Sequence, residues 1–195
     1  FQSPWLGPSY INPMLGSNNA PTFPKFDIGF RKTKLVIPGL NWYIGDFEAR
    51  IWIGQLTESD FFDNNDTIDK TLLNGFNISF TPSFWKNFTI GATKVCLTKW
   101  GNNFWKYINP FYSSNDINGI GEDQKVSIYA TVLFPSVGFE IYGEIGIDDY
   151  AVDPISAMKH TMIYTVGAKK SFNISDKCKA LLIFEWNDFE MSQDF

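Results

Sequence analysis

The stretch Val126-Ser127-Ile128-Tyr129-Ala130-Thr131-Val132-Leu133-Phe134, followed by Pro135-Ser136-Val137-Gly138 and Phe139-Glu140-Ile141-Tyr142-Gly143-Glu144-Ile145, decides the fold. In the first arm Val126, Ile128, Ala130, Val132 and Phe134 alternate with Ser127, Tyr129 and Thr131. In the second, Phe139, Ile141, Gly143 and Ile145 alternate with Glu140, Tyr142 and Glu144. Successive side chains of a strand point to opposite faces, so each arm carries one apolar and one polar face. Proline and glycine in the four residues between them mark a short turn.

The same period of two recurs outward from this hairpin. Phe47, Ala49, Ile51 and Ile53 alternate with Glu48, Arg50 and Trp52. Phe76, Ile78 and Phe80 alternate with Asn77 and Ser79, and Phe88, Ile90 and Ala92 with Thr89, Gly91 and Thr93. Further strands are expected near 26–31, 34–39, 161–171 and 179–187. Residues 1–24 hold Pro4, Pro8, Pro13, Pro21 and Pro24. Proline lacks an N–H and fixes φ, so this part is expected to be an irregular lead-in. Residues 25–195 then form an antiparallel β segment, with at most a short helix at 153–160.

The connectors alternate in length. Thr81 to Lys86 and Pro135 to Gly138 are short, whereas 56–71 and 97–125 are long and rich in Asn, Asp and Gly. Short turns on one side and long loops on the other is the arrangement of outer-membrane barrels. Aromatic residues make up 17% of the chain, with 7 Trp, 8 Tyr and 19 Phe, an excess that fits interfacial girdles or sugar-stacking surfaces. No run of 18 apolar residues exists, which excludes a transmembrane helix. The mean hydropathy of -0.14 carries no information on a barrel, where the two faces of each strand cancel.

The expected fold class is therefore all-β, an antiparallel meander forming part of a transmembrane outer-membrane β-barrel. A soluble β-sandwich also has period-two strands. Strands of about 9–11 residues favour the membrane reading. Glu48, Arg50, Glu140 and Glu144 on polar faces suit a watery lumen, and equally a plain solvent face.

A net charge of -5 with scattered basic residues excludes a nucleic-acid surface, which needs clustered Lys and Arg. Arg31, Lys32 and Lys34 read as a solvated strand end. Cys96 and Cys178 match no metal or redox spacing; they are either two unpaired thiols or one periplasmic disulfide. The chain opens at Phe1 without a charged n-region or an apolar h-region, so a processed or cut start is expected.

Trp5-Leu6-Gly7-Pro8 and Leu15-Gly16-Ser17-Asn18-Asn19-Ala20-Pro21-Thr22-Phe23-Pro24 resemble the Trp-Gly-Pro and Leu-Ser-Asn-Asn-Ala pattern of the Wzi-type capsule assembly proteins. Leu6 separates the Trp from the Gly, and Gly16 stands between Leu15 and Ser17. In the family's order follow Gly75 to Pro82, Phe88-Thr89-Ile90-Gly91, Gly121-Glu122-Asp123-Gln124 with Glu122 in place of Asn, and Phe139 to Glu144 with Asp148-Asp149. The resemblance runs over about residues 5 to 187. It implies an outer-membrane β-barrel that binds and anchors capsular or other surface polysaccharide without catalysis or cofactor. The family's barrel is longer, so an incomplete member is expected, acting as a monomer in contact with outer-membrane lipid.

Four groups of residues are candidate sites. In the 97–125 loop, Trp100, Asn102, Asn103, Trp105, Tyr107 and Tyr112 combine aromatic faces for sugar C–H groups with amides that bond hydroxyls in both directions. The same residues suit a packed loop that caps a barrel. Gly7, Pro8, Ser17, Asn18, Asn19 and Pro21 form the family-like motif, where a turn role competes with ligand binding. Glu48, Arg50, Glu140 and Glu144 are lumen charges. Glu140 and Glu144 sit about 13 Å apart along one strand, beyond the roughly 5–9.5 Å of paired glycosidase carboxylates. Asp63, Asn65, Thr67 and Asp69 faintly resemble a calcium loop, but Ile68 stands where Gly is needed, and no metal is expected. His160 has no second His or nucleophile motif beside it. The competing functions are a soluble carbohydrate-binding sandwich and, third, a carboxylate-dependent glycosidase.

Overall fold

A computed structural model describes residues 6–16, 23–57, 70–99, 123–148 and 162–189. Eight strands follow in order: β1 Lys25–Ile37, β2 Trp42–Thr57, β3 Lys70–Pro82, β4 Phe88–Lys99, β5 Asp123–Phe134, β6 Phe139–Asp148, β7 Met162–Ser175 and β8 Cys178–Phe189. They form one sheet in the order β1-β2-β3-β4-β5-β6-β7-β8, every neighbour antiparallel. The fold is therefore an all-β antiparallel meander. The described sheet is open, because β1 pairs only with β2 and β8 only with β7. Among the described residues the single helical element is one 3-10 turn, Pro135–Val137, closed by Gly138 in the left-handed region.

Short turns at 38–41, 83–87, 135–138 and 176–177 lie at one end of the sheet, and 58–69, 100–122 and 149–161 join the strands at the other. The strands reach 10 to 16 residues, longer than the alternation alone marks, because Leu97 to Lys99 and Asp123 to Lys125 extend the ladder into the polar stretch read as loop.

β1 corrects the sequence reading in two ways. The segments expected at 26–31 and 34–39 are one strand, and Arg31 and Lys32 lie inside it rather than at its end. Apolar residues occupy 26, 28 and 30 and then 35 and 37, a change of parity that reads as a break. A register shift between Phe30 and Thr33 absorbs it, the extra residue of a β-bulge keeping both halves in one ladder. Lys32 reaches Asp46 at 3.7 Å. No disulfide joins Cys96 and Cys178. Cys96 stands opposite Asn74 and Gln124 toward the long connectors, whereas Cys178 adjoins the 176–177 turn at the other end.

Register sorts the side chains into two faces. One row runs Phe30, Ala49, Ile78, Ala92, Ile128, Ile145 and Tyr164 from β1 to β7. The row on the opposite face runs Glu48, Ser79, Gly91, Tyr129, Glu144, Thr165 and Asn187 from β2 to β8. Burial is inverted relative to a water-soluble sheet. Phe26, Phe30, Ile128, Phe184 and Trp186 are exposed on the apolar face, while Thr93, Ser127, Tyr142, Glu144 and Thr165 are buried on the polar one. Toward the long connectors the first face changes character: Asn74, Lys94, Cys96, Thr98 and Gln124 there are buried.

Candidate functional site

The polar face is held in shape by three directly opposed pairs. Trp52 faces Gly75, Tyr129 faces Gly91 and Tyr142 faces Gly167. Each ring lies over its glycine so closely that a Cβ there would meet ring atoms at 2.6, 2.2 and 2.2 Å respectively. Only a missing side chain lets a large ring lie flat on the neighbouring strand.

Residues 6–16 lie across this face. Leu6 packs with Trp52, Leu73 and Val95, the small apolar cluster of an otherwise polar surface. The Leu6 N–H donates to the Gly16 carbonyl at 3.2 Å, closing the segment into a loop. Gly7, at φ +84, abuts the Glu144 carboxylate: a Cβ would sit 2.5 Å from Oε2. The buried Ser9 hydroxyl donates to the same oxygen at 3.5 Å. Three successive backbone N–H groups, of Tyr10, Ile11 and Asn12, converge on the Glu185 carboxylate at 3.1, 2.5 and 3.3 Å. Such a nest of amides is a ready receptor for one carboxylate, and bonds to an ionised acceptor are the stronger kind. Met14 lies against Gly146, where its Sδ would be 2.0 Å from a Cβ. Lys169 ties the elements together: Nζ is 3.0 Å from Glu140, 4.8 Å from the Tyr142 ring and 5.6 Å from the Tyr10 ring.

Beside this segment the polar face holds a recess of about 220 Å³. Leu6 and Gly7 form one side; Asp27, Glu48, Arg50, Trp52, Asn77, Ser79 and Tyr129 form the rest. Arg50 grips Asp27 through both Nε, at 3.3 Å, and Nη2. Asn77 Nδ2 donates to Thr93 Oγ1 at 2.7 Å and to the Tyr129 hydroxyl at 3.4 Å. Trp52 is only 3% exposed, and its indole N–H has no hydrogen-bond partner among the described residues. Glu48 forms no ion pair among them. Donors, acceptors and aromatic rings are thus mixed within one concavity, the set that polyhydroxy compounds require.

The candidate residues fall unevenly on this structure. Glu48 and Arg50 line the recess; Glu140 pairs with Lys169; Glu144, 1% exposed, meets Gly7 and Ser9 rather than a basic side chain. Gly7 and Pro8 belong to the segment on the polar face. Ser17, Asn18, Asn19 and Pro21 lie outside the described residues, as do Trp100, Asn102, Asn103, Trp105, Tyr107 and Tyr112. So do Asp63, Asn65, Thr67, Asp69, His160 and the 153–160 segment. Among the described residues no cluster of His, Cys, Asp and Glu could hold a metal ion.

Glu185 was not singled out by sequence reasoning. Its signal is a lone carboxylate between Phe184 and Trp186, both exposed on the opposite face. Trp52, Asn77 and Tyr129 meet only through the register of four strands, which no local pattern contains.

No protein-family model matches the chain, and neither any curated protein nor any solved structure matches it significantly.

Proposed function

We propose that this chain is wall and plug of an outer-membrane β-barrel that binds and anchors capsular or other surface polysaccharide, without catalysis. The observation carrying the membrane part is the inversion of burial. A water-soluble sheet packs its apolar face and wets its polar one; here large apolar side chains stand outward across the sheet while Thr, Ser and Glu are buried. From Val126 to Phe134, about nine residues at roughly 3.3 Å rise and a tilt near 40° give an apolar band roughly 20–25 Å tall, close to the ~25 Å of a barrel's lipid-facing belt. Exposed Trp42, Phe84, Trp85, Phe134 and Phe172 cluster at the short-turn end, where an interfacial girdle belongs. A bilayer is a partner able to cover so broad an apolar surface. The open sheet edges are then met by further strands of the wall, since exposed edges are not tolerated in hydrocarbon.

The polysaccharide part rests on the resemblance to the Wzi-type family, on the aromatic and Asn-rich stretch 100–122, and on a polar face rich in hydroxyl-binding groups. The test uses cells expressing the complete gene, fractionated and run on gels with and without boiling. A heat-modifiable band in the outer membrane is expected, together with loss of cell-bound polysaccharide to the medium in the Trp100→Ala, Trp105→Ala double variant. Soluble periplasmic protein would replace the barrel by a carbohydrate-binding sandwich. Wild-type retention in the double variant would remove those two residues from the function.

A further inference from the structure

We infer that the recess between the 6–16 segment and strands β1, β2, β3 and β5 is a binding site for one neutral pyranose unit, so that the barrel holds sugar inside its wall as well as at its surface loops. The inference rests on the polysaccharide reading and names the class of residue that it takes. Its size is right: about 220 Å³ is room for several waters at roughly 30 Å³ each, and for one six-membered ring with its hydroxyls in their place.

Its chemistry is more telling. Trp52 forms part of the wall, and its buried N–H lacks an acceptor among the described residues. Glu48, opposite Ser79, has no cation bound among them and can accept from two neighbouring hydroxyls at once. Asn77, already donating to Thr93 and Tyr129, keeps its amide fixed at the wall. Uncharged hydroxyls that both donate and accept satisfy this set; a phosphate or an ammonium group does not.

Charge fixes the class further. Asp27 is held by both Arg50 and Lys25, the latter at 3.7 Å, so with Glu48 two cations meet two carboxylates and the recess carries no net charge. A uronate or a phosphorylated sugar would bring an unbalanced charge into this neutral recess, while a neutral hexose does not.

The experiment measures binding of D-glucose, D-galactose, D-mannose and D-glucuronate by saturation-transfer NMR to the outer-membrane protein in detergent. At least one neutral hexose is expected to bind at about millimolar Kd, as single sugar units with few contacts do, and glucuronate at least about tenfold more weakly. E48Q and N77L should each weaken the hexose about tenfold or more, the loss expected when a hydrogen bond to a charged or fixed buried group goes. The heat-modifiable band is read on each variant, so misfolded protein is recognised. No hexose binding below about 100 mM, equal binding of glucuronate, or indifference to both substitutions would overturn the inference and leave the recess to water. If those results came from protein that still migrates as an outer-membrane barrel, the anchoring reading would stand; absence of that band would remove both.

Discussion

Ile128→Arg is expected to empty the outer membrane of folded protein. Ile128 is 58% exposed, and lies mid-strand in β5 between Ala92 and Ile145. An arginine near the bilayer midplane on the lipid face of a barrel costs about 2–4 kcal/mol. That is a large share of the roughly 5–15 kcal/mol of a typical fold. At an exposed site in water the same change would stay within about 0.5 kcal/mol. The comparison is Phe84→Arg, at the exposed turn between β3 and β4, where the interfacial cost falls to about 0–1 kcal/mol. The readout is the heat-modifiable fraction in the outer membrane: strongly depleted for I128R, near wild type for F84R. Equal, wild-type behaviour of both would show that β5 faces water.

The second large effect is expected at Gly7. Gly7→Ala should release the 6–16 segment from the polar face, seen as new cleavage within it under limited proteolysis. Two costs combine at this position. At φ +84 an L side chain is strained by about 1–2 kcal/mol, and the new Cβ would stand 2.5 Å from a carboxylate that is itself 1% exposed. Gly39→Ala is the control for a strained left-handed position elsewhere in the chain. Gly39 has φ +87 but nothing within 4 Å of its Cβ position, so it carries the backbone strain alone. Protease resistance of 6–16 should survive G39A and fail in G7A. Glu185→Ala should loosen the same segment by about 2–3 kcal/mol, because three N–H groups lose an ionised acceptor at a partly exposed site. Indistinguishable cleavage of G7A, G39A and wild type would mean that contact with Glu144 does not seat the segment.

The two faces of the sheet were legible because a period of two survives in nearly every strand: Val126 to Phe134 shows it without interruption, and the register then carries it across neighbours. Where the pattern broke, the reading broke. Phe26, Phe30, Leu35 and Ile37 belong to one strand, but the bulge after Phe30 shifts their parity, and a shift in parity looks like the end of a strand. The 6–16 segment was legible only as non-helical, since its seat on the sheet is made by backbone N–H groups and a positive φ rather than by residue types a pattern can count. The recess was not legible at all. Trp52 and Arg50 come from one strand, but Asn77 and Tyr129 reach them only through pairings 27 and 52 residues apart in the chain order of Arg50–Asn77 and Asn77–Tyr129. Glu144 shows the limit of typing a residue by its class: counted among balanced lumen charges, it sits under Gly7 and Ser9.

The most direct test of the central claim asks which face of the sheet meets hydrocarbon. Single-tryptophan variants retaining either Trp186, 52% exposed on the apolar face, or Trp52, buried on the polar face, are reconstituted into vesicles whose acyl chains carry bromine. Bromine quenches indole fluorescence only on close approach, so strong quenching of Trp186 with Trp52 little changed is the expected result. Trp186 unquenched, or Trp52 quenched as strongly, would contradict a sheet whose apolar face lies against lipid.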